Sequence, residues 1–315
     1  MKAVLFTEYG GPDVLHPQEV ADPTPEANEV LVQVKATTVN RLDLFQRAGS
    51  RPTGKLPFTP GLEAAGVVVN DAQGFHVGER VLTTRASSAK GGGGYASMIA
   101  APASDLVRIP DSVSFEQAVA AGLAASTAWG GLFDLGHLRK GQRVLIWAGS
   151  SGVGSLAIQF AKQAGAWVAT TASSNQRAET LKKLGADLVI DHKTQDVGKV
   201  LQEQGGVNLV MELVGTSLQS SLNACAPDGR IILIGNLGGQ QATVDTQAWR
   251  LKRTQVIGGG VLHTTPENEG KVLQLIAEKA VMPLIAQTLP VEQAAQAHKI
   301  LDSGEPQGKI VLTHG

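Results

Sequence analysis

The chain of 315 residues has few cysteines and aromatic residues, and its positive and negative charges nearly balance. Its one cysteine, Cys225, excludes a disulfide within the chain and a cysteine-rich zinc site. A net charge of −1 without a basic run, together with 4% aromatic residues, argues against a nucleic-acid-binding surface. The first residues reach Glu8 without an apolar stretch long enough for a secretory signal or a membrane span. We therefore expect a cytoplasmic protein that binds neither nucleic acid nor membrane.

The residues that are present predict two domains of different texture. A hydrophobic content of 43% is enough for a large core, and a chain of this length most naturally divides in two. Up to about residue 120, short apolar runs separated by Pro- and Gly-bearing turns predict a mostly β half, with helices at 41–47 and 114–123. We interpret the glycines at 91–94 as a flexible connection, because no helix follows them.

From about residue 141 strand-like and helical patterns alternate regularly. This alternation predicts a doubly wound parallel sheet. Two later helices, at 266–280 and 291–303, and a strand at 309–313 are too few to form a domain, so we expect them to return to the first half. The six predicted strands of the sheet lie at 143–148, 167–171, 187–191, 208–213, 230–234 and 255–259.

A glycine-rich turn joins the first strand of this half to its first helix. Residues 144–165 read VLIWAGSSGVGSLAIQFAKQAG, and Gly149, Gly152 and Gly154 supply the turn. This order directs backbone N–H groups and a helix N-terminus at a pyrophosphate. Ser151 stands where the usual spacing has its second glycine, and its small hydroxyl can itself donate to a phosphate. The alternative is a tight structural turn without a ligand.

The end of the second predicted strand favours NADPH over NADH. An NAD site normally has Asp or Glu there to bind the ribose 2′-hydroxyl, whereas residues 170–174 of this chain read TTASS. The next acid, Glu179, falls inside a predicted helix, and Arg177 is placed to pair with a 2′-phosphate. Arg177 is otherwise a solvated residue on a helix surface.

Six segments in order resemble the zinc-independent medium-chain dehydrogenases/reductases of the quinone oxidoreductase (zeta-crystallin-like) group. The resemblance implies a GroES-like, mostly β catalytic domain at 1–121 and 260–315, an inserted Rossmann domain at 122–259, and a cleft between them. It also implies a homodimer joined through the Rossmann sheets, with 255–262 as the edge strand. The segments are VNRLDLFQRAG at 39–49, PGLEAAGVV at 60–68, GGYASMIAAPASDLVRIPDSVSFEQAVA at 93–120, AGSSGVGSLAIQFAKQAGA at 148–166, LGADLVID at 184–191 and GKIVL at 308–312.

The resemblance also bears on metal chemistry. Zinc-dependent relatives have a cysteine in the segment matching 39–43 and G-H-E where this chain has Gly61-Leu62-Glu63. The seven histidines show no ligand spacing either, so we expect hydride transfer without a metal. Glu63 then has no metal-site role, and we expect it to be structural and paired with a basic group if it is buried.

The family's functional positions transfer onto matching residues of this chain. Asn40, Asp43 and Thr127 are implied to lie near the nicotinamide and the acceptor. On the residues alone, Asn40 is equally a helix cap, Asp43 a first-turn helix acid and His192 an exposed residue after a strand. The implied cofactor contacts are Ser151, Gly152, Val153 and Gly154 at the pyrophosphate, Ser173, Ser174, Arg177 and His192 at the 2′-phosphate, and Gly235, Asn236 and Leu237 near the nicotinamide.

Two departures concern the acceptor. Phe45 and residues 50–52, Ser-Arg-Pro, stand where many quinone oxidoreductases have tyrosines, so we expect solvent to supply the proton. The sequence thus favours an NADPH-dependent reductase of quinones or α,β-unsaturated carbonyls, with acyl-thioester enoyl reduction included in that class. The other hypothesis is a nucleotide-binding protein of the same fold with a sensory, structural or RNA-binding role.

Overall fold

The computed structural model describes residues 1–260 and 265–315. The strands are β1 (Lys2–Leu5), β2 (His16–Glu19), β3 (Glu29–Val39), β4 (Ala64–Val68), β5 (Arg80–Thr83), β6 (Met98–Pro102), β7 (Val107–Arg108), β8 (Arg143–Ile146), β9 (Trp167–Ala172), β10 (Leu188–Asp191), β11 (Val207–Glu212), β12 (Cys225–Leu233), β13 (Gln255–Gly258), β14 (Ile285–Pro290) and β15 (Lys309–Thr313). The helices are α1 (Arg41–Arg47), α2 (Phe115–Trp129), α3 (Gly152–Gln163), α4 (Asn175–Lys183), α5 (Val197–Gln202), α6 (Leu218–Ala224), α7 (Thr246–Lys252), α8 (Pro266–Ala277) and α9 (Ala294–Asp302).

The chain forms two compact units, residues 1–123 with 265–315 and residues 124–264. The first unit contains a seven-stranded sheet in which β14, β15, β3, β4, β5 and β7 are neighbours in that order and β6 also pairs with β3. All of these pairings are antiparallel except that of β14 with β15. Alternating residues of β3, including Val30, Val32 and Val34, enter its core, so one face of the sheet is buried.

The register of β3 brings distant parts of the sequence together at its carboxyl end. Ile310 of β15 lies opposite Val39, and Ala64 of β4 lies opposite Thr37. One residue further along these two pairings, Lys309 comes beside Asn40 and Glu63 comes beside Thr38. Side chains from β15 and from the residue before β4 therefore reach the start of α1.

The second unit is built on a parallel sheet with the order β10-β9-β8-β11-β12-β13. The order reverses between β8 and β11, which is the arrangement of a doubly wound nucleotide-binding sheet and agrees with the predicted alternation. Val144, Leu145 and Ile146 of β8 are completely buried, as expected for a central strand covered on both faces. The carboxyl ends of these strands share one edge.

Three features of the fold differ from the sequence interpretation. Residues 91–94 are packed rather than flexible: the N–H groups of Gly93 and Gly94 donate to the carbonyls of Thr59 and Gly61, and a Cβ at Gly92 would come 2.6 Å from Thr59 Cβ. Helix α2 extends to Trp129 instead of ending at 123 and has a non-helical residue, Gly122, inside it. The sequence pattern also did not predict the strands β2, β7 and β14 or the helix α7, which the structure contains.

The predicted edge strand at 255–262 is described only in part. Strand β13 ends at Gly258 and forms an edge of the second unit's sheet, while Val261 and Leu262, which belong to the predicted edge strand, lie outside the described residues. Within residues 1–260 and 265–315 no helix is both long enough and apolar enough to cross a membrane.

Candidate functional site

The glycine-rich turn of the second unit places the N-terminus of α3 at the carboxyl edge of the sheet. Ser151 is the N-cap of α3, and its Oγ accepts the Gly154 N–H at 3.0 Å. The hydroxyl proton of Ser151 is still available for donation, because accepting a hydrogen bond does not use it. Gly152 and Val153 occupy the first helical turn, where backbone N–H groups have no partner within the helix and attract anions.

Two of the predicted glycines have a packing reason as well. A Cβ at position 149 would overlap Thr170 Oγ1, and a Cβ at position 154 would overlap the Ala148 carbonyl oxygen. The missing side chains let α3 approach β8 and β9 closely. This is the close helix–strand contact that the glycine fingerprint provides in dinucleotide-binding folds.

The residues predicted for a 2′-phosphate lie around the ends of β9 and β10. Ser173 and Ser174 follow β9, and Ser174 caps α4 by accepting the Arg177 N–H at 3.4 Å. The Arg177 guanidinium donates to Ser150 Oγ at 3.4 Å, which carries its charge toward the glycine-rich turn. His192 is exposed after β10, and its N–H donates to the Ala172 carbonyl at 3.3 Å.

This group contains a member that the sequence interpretation missed. Ser150 is 8% exposed and becomes part of the group only because Arg177 folds back onto the turn. The nearby acid Glu179 is directed elsewhere, since it accepts from Lys182 of its own helix at 2.9 Å. Residues 172–177, which end β9 and begin α4, thus include hydroxyls and a guanidinium but no Asp or Glu, which suits a phosphate better than a ribose 2′-hydroxyl. The neighbouring acid Asp191 ends β10 and accepts the Lys193 N–H at 2.9 Å.

The residues predicted for the nicotinamide side follow β12 and are held by a buried acid. The N–H groups of Ile234 and Gly235 donate to the Glu212 carbonyl at 2.9 and 3.3 Å. The Glu212 carboxylate, fully buried at the end of β11, accepts the N–H groups of Val214 and Gly215, each at 2.9 Å. Glu212 therefore fixes both loops at this edge. The sequence interpretation missed Glu212; a single acid at the end of the largely apolar run 207–211 was the available signal. Asn236 and Leu237 continue the loop after β12.

In the first unit, Asn40 begins α1 and is held through its backbone by Asp43. The Asn40 N–H donates to Asp43 Oδ2 at 2.8 Å, and the Gly61 N–H donates to Asp43 Oδ1 at 3.0 Å. Asp43 is fully buried. Burial raises the pKa of Asp43 to about 7, against the opposing effect of these two N–H donors.

The side chain of Asn40 lies in a second, separate network around Glu63. Lys309 Nζ is 2.6 Å from Asn40 Oδ1 and 3.0 Å from Glu63 Oε1, while Asn40 Nδ2 is 3.1 Å from Glu63 Oε1. Thr38 Oγ1 also donates to Glu63 Oε1, and the Leu123 N–H donates to Glu63 Oε2 at 2.5 Å. The prediction that a buried Glu63 pairs with a basic group is confirmed by the Lys309 ion pair.

The electrostatics of Glu63 follow from these partners. Burial alone would raise the pKa of Glu63, but the Lys309 ammonium, the Thr38 hydroxyl and the Leu123 and Asn40 N–H groups together hold it below its ordinary value. Glu63 is therefore an ionised carboxylate at 0% exposure. Lys309 was not predicted as a site residue. A lone lysine in the apolar stretch KIVLT was the available signal.

The three residues predicted to lie near the nicotinamide and the hydride acceptor belong to different units. Thr127 is half-buried on α2 in the second unit, whereas Asn40 and Asp43 belong to the first. Phe45 is half-buried on α1, and the exposed Arg51 places its guanidinium carbon 6.0 Å from the Phe45 ring centroid. In the part of the chain that the structure describes, no three His, Cys, Asp or Glu side chains are grouped to hold a metal ion.

Comparison with known families and proteins supports the same fold class. The family model for the alcohol dehydrogenase GroES-like domain matches residues 26–111, and the one for zinc-binding dehydrogenase matches residues 152–278. The quinone oxidoreductase of Rattus norvegicus is 32% identical, over 99% of this chain and 97% of that protein. The predicted combination of a GroES-like domain with a doubly wound parallel sheet is confirmed.

Solved structures resemble the whole chain. The Escherichia coli quinone oxidoreductase complexed with NADPH has a TM-score of 0.91 at 29% identity and covers 100% of both chains. A structure described as an NAD-dependent alcohol dehydrogenase has a TM-score of 0.93, also at 29% identity and 100% coverage of both chains. These two neighbours differ in the cofactor that their names give, so the preference of this chain for NADPH or NADH has to be argued from its own residues.

Proposed function

The chain belongs to the quinone oxidoreductase family of zinc-independent medium-chain dehydrogenases/reductases, and from this we propose that it is an NADPH-dependent reductase of quinones or α,β-unsaturated carbonyls. The observation that carries the proposal is the polar group after β9. It offers Ser150, Ser174 and Arg177 to a phosphate, and residues 172–177 include no Asp or Glu at the position that binds a ribose 2′-hydroxyl in NAD sites.

The residues around the cofactor divide by the part of NADPH that they bind. In this proposal the first turn of α3, with Ser151, Gly152, Val153 and Gly154, binds the pyrophosphate. Arg177 pairs with the 2′-phosphate and is assisted by Ser173, Ser174 and His192. The loop of Gly235, Asn236 and Leu237, fixed by Glu212, lies along the nicotinamide half. The bound cofactor supplies hydride from its nicotinamide C4.

The acceptor half depends on a hydrogen-bond donor rather than a metal. A conjugated acceptor that takes up hydride at carbon develops negative charge on its oxygen, and a fixed N–H near that oxygen lowers the barrier. We assign this donation to the Asn40 amide, with Thr127 as a second polar contact. Asp43 acts as a positioning residue, because its carboxylate holds the Asn40 backbone. Since residues 45 and 50–52 include no tyrosine, solvent delivers the proton.

The proposal extends to assembly and location. Strand β13 pairs with β12 on one side, and its other side is the edge through which we propose that two copies join as a homodimer in the cytoplasm. Light scattering on a size-exclusion column tests the dimer, and a monomer at micromolar concentration contradicts it. The sensory, structural or RNA-binding alternative is not favoured, because the similar curated proteins are named as oxidoreductases.

An acceptor panel tests the proposed reaction. NADPH oxidation is followed at 340 nm with 1,4- and 1,2-quinones, alkenals, enones and an enoyl thioester. Saturated aldehydes and secondary alcohols with NADP⁺ serve as negative controls. Turnover confined to the conjugated acceptors supports the proposal. Turnover of a saturated alcohol or aldehyde at a comparable rate contradicts it, because such substrates need a stronger electrophile than one amide N–H.

A further inference from the structure

A buried ion pair surrounds the side chain of Asn40, and we propose that it selects which end of the Asn40 amide faces the acceptor. In this inference Glu63 and Lys309 are positioning residues that turn the amide N–H outward. It rests on the proposed function, in which that N–H donates to the acceptor oxygen. The contacts come from Thr38 of β3, from Glu63 immediately before β4 and from Lys309 of β15, which meet at the end of β3.

The chemistry of the two partners determines the amide orientation. A lysine ammonium only donates, so the Asn40 atom 2.6 Å from Lys309 Nζ must be the carbonyl oxygen. An ionised carboxylate only accepts, so the Asn40 atom 3.1 Å from Glu63 Oε1 must be the nitrogen. The reversed amide would set oxygen against carboxylate and N–H against ammonium. The ion pair thus favours the orientation of the Asn40 amide in which Oδ1 faces Lys309 and Nδ2 faces Glu63.

One N–H of the Asn40 amide remains for a ligand. The Nδ2 nitrogen lies 3.1 Å from Glu63 Oε1 and 3.2 Å from Thr38 Oγ1, and these two oxygens are hydrogen-bonded to each other. Because both oxygens lie in the same direction from Nδ2, one N–H serves them together. The second N–H of the planar amide points away from both. Asn40 is half-buried, whereas Glu63 and Thr38 are fully buried, and the inference places this second N–H on the side that faces away from them.

Stability alone does not explain the ion pair. The desolvation of two buried charges offsets most of their attraction, and apolar residues of similar size would often stabilise the fold as well. The backbone of Asn40 is already fixed by Asp43, so the pair adds control of the side chain specifically. The other Glu63 oxygen accepts the Leu123 N–H that follows the non-helical residue Gly122, which anchors the carboxylate itself.

A double-mutant cycle tests the inference. It compares the wild type with Asn40→Ala, Glu63→Gln and the double variant, and measures kcat, KM for the acceptor and the NADPH dissociation constant. We expect Asn40→Ala to lower kcat about 100-fold, the scale for loss of one donor to a developing oxyanion. Glu63→Gln should lower kcat about tenfold in the Asn40 background and leave it unchanged in the Asn40→Ala background. The NADPH dissociation constant should stay within about twofold throughout, because the phosphate contacts lie in the second unit.

A matched control is Glu269→Gln. Glu269 is another carboxylate of the first unit, 3% exposed, and accepts from Thr84 Oγ1 at 2.8 Å. It should leave kcat unchanged even if it lowers the melting temperature. If Glu63→Gln does not fold, the pair Glu63→Gln/Lys309→Met removes both charges and carries the same cycle. We expect that pair to melt within a few degrees of the wild type while kcat stays about tenfold low.

The outcomes separate the inference from the proposed function. An equal fold-change from Glu63→Gln in both backgrounds would show that the ion pair supports only the fold, and would overturn the inference while the donor role of Asn40 stands. An Asn40→Ala variant with wild-type kcat would overturn the donor role and the inference together. A wild-type protein without turnover on any conjugated acceptor would overturn the proposed function itself.

Discussion

Replacement of Arg177 by alanine should separate NADPH from NADH. Arg177 lies in the first turn of α4, and its Nη1 is 3.4 Å from Ser150 Oγ, so its guanidinium faces the turn that precedes α3. Loss of a charge-assisted hydrogen bond to a phosphate costs about 1.5 to 3 kcal/mol. That range corresponds to an NADPH dissociation constant raised about 10- to 150-fold. NADH has no 2′-phosphate, so its dissociation constant should change by less than about twofold.

The assay is a calorimetric or fluorescence titration of both cofactors at low and at physiological salt. Arg250→Ala, which removes an exposed arginine of the same unit from α7, controls for the loss of net charge. Arg177→Lys should fall between wild type and alanine, because an ammonium keeps the charge but loses the planar fork. Equal weakening of NADPH and NADH by Arg177→Ala, or weakening of neither, would refute the assignment of Arg177 to the 2′-phosphate.

Three further predictions concern stability, packing and metal. Burial and the nearby Arg47 lower the pKa of His298 to about 3, so His298 is neutral in the fold; its contribution to stability is present above pH 6.5 and is lost as the pH falls toward 3. Between pH 7 and pH 5 the free energy of unfolding should fall by about 2 kcal/mol more in the wild type than in His298→Gln. The control His76→Gln, at an exposed position, should show the same pH dependence as the wild type. An equal fall in the wild type and in His298→Gln would refute the prediction. Gly149→Ala should lower the free energy of unfolding by about 1 to 3 kcal/mol and weaken NADPH binding, because its Cβ overlaps Thr170. The control Gly11→Ala, at a position with an ordinary φ of −69° and open space for a Cβ, should do neither. Dialysis against a strong chelator should leave turnover unchanged, and metal analysis of the purified protein should find no stoichiometric zinc. Activity that is lost on dialysis and restored only by zinc would contradict metal-free catalysis.

The second unit was largely predictable because its signals are local. Most strands of the parallel sheet are apolar runs bounded by turns, and the glycine spacing at 149–154 identifies the nucleotide edge without any knowledge of distant contacts. The start of β12, which reads CAPDG, is the exception. Helix α1 also begins after its cap residue Asn40 and ends at Arg47, as the sequence pattern indicated. Local propensity and tertiary structure agree at these places, which is why sequence reasoning succeeds there.

The environment of Asn40 was not predictable for the opposite reason. Lys309 and Glu63 are 246 residues apart in the sequence, and they meet only because β15 and β4 flank β3 in particular registers. Strand register is a property of the folded sheet and leaves no local mark on an apolar segment. The glycines at 91–94 were interpreted as flexible for the same reason. Gly92, Gly93 and Gly94 are required by the close approach of residues 59–63, which the sequence does not show.

Direct hydride transfer is the central claim, and a single-turnover experiment with NADPH deuterated at the transferring C4 position tests it most directly. The account predicts that an enone product carries one deuterium at its β-carbon and that the proton at the α-carbon comes from solvent. It also predicts that NADH labelled in the same way reacts more slowly at equal concentration. A reduced product without deuterium at the β-carbon, or equal use of both cofactors, would contradict the account.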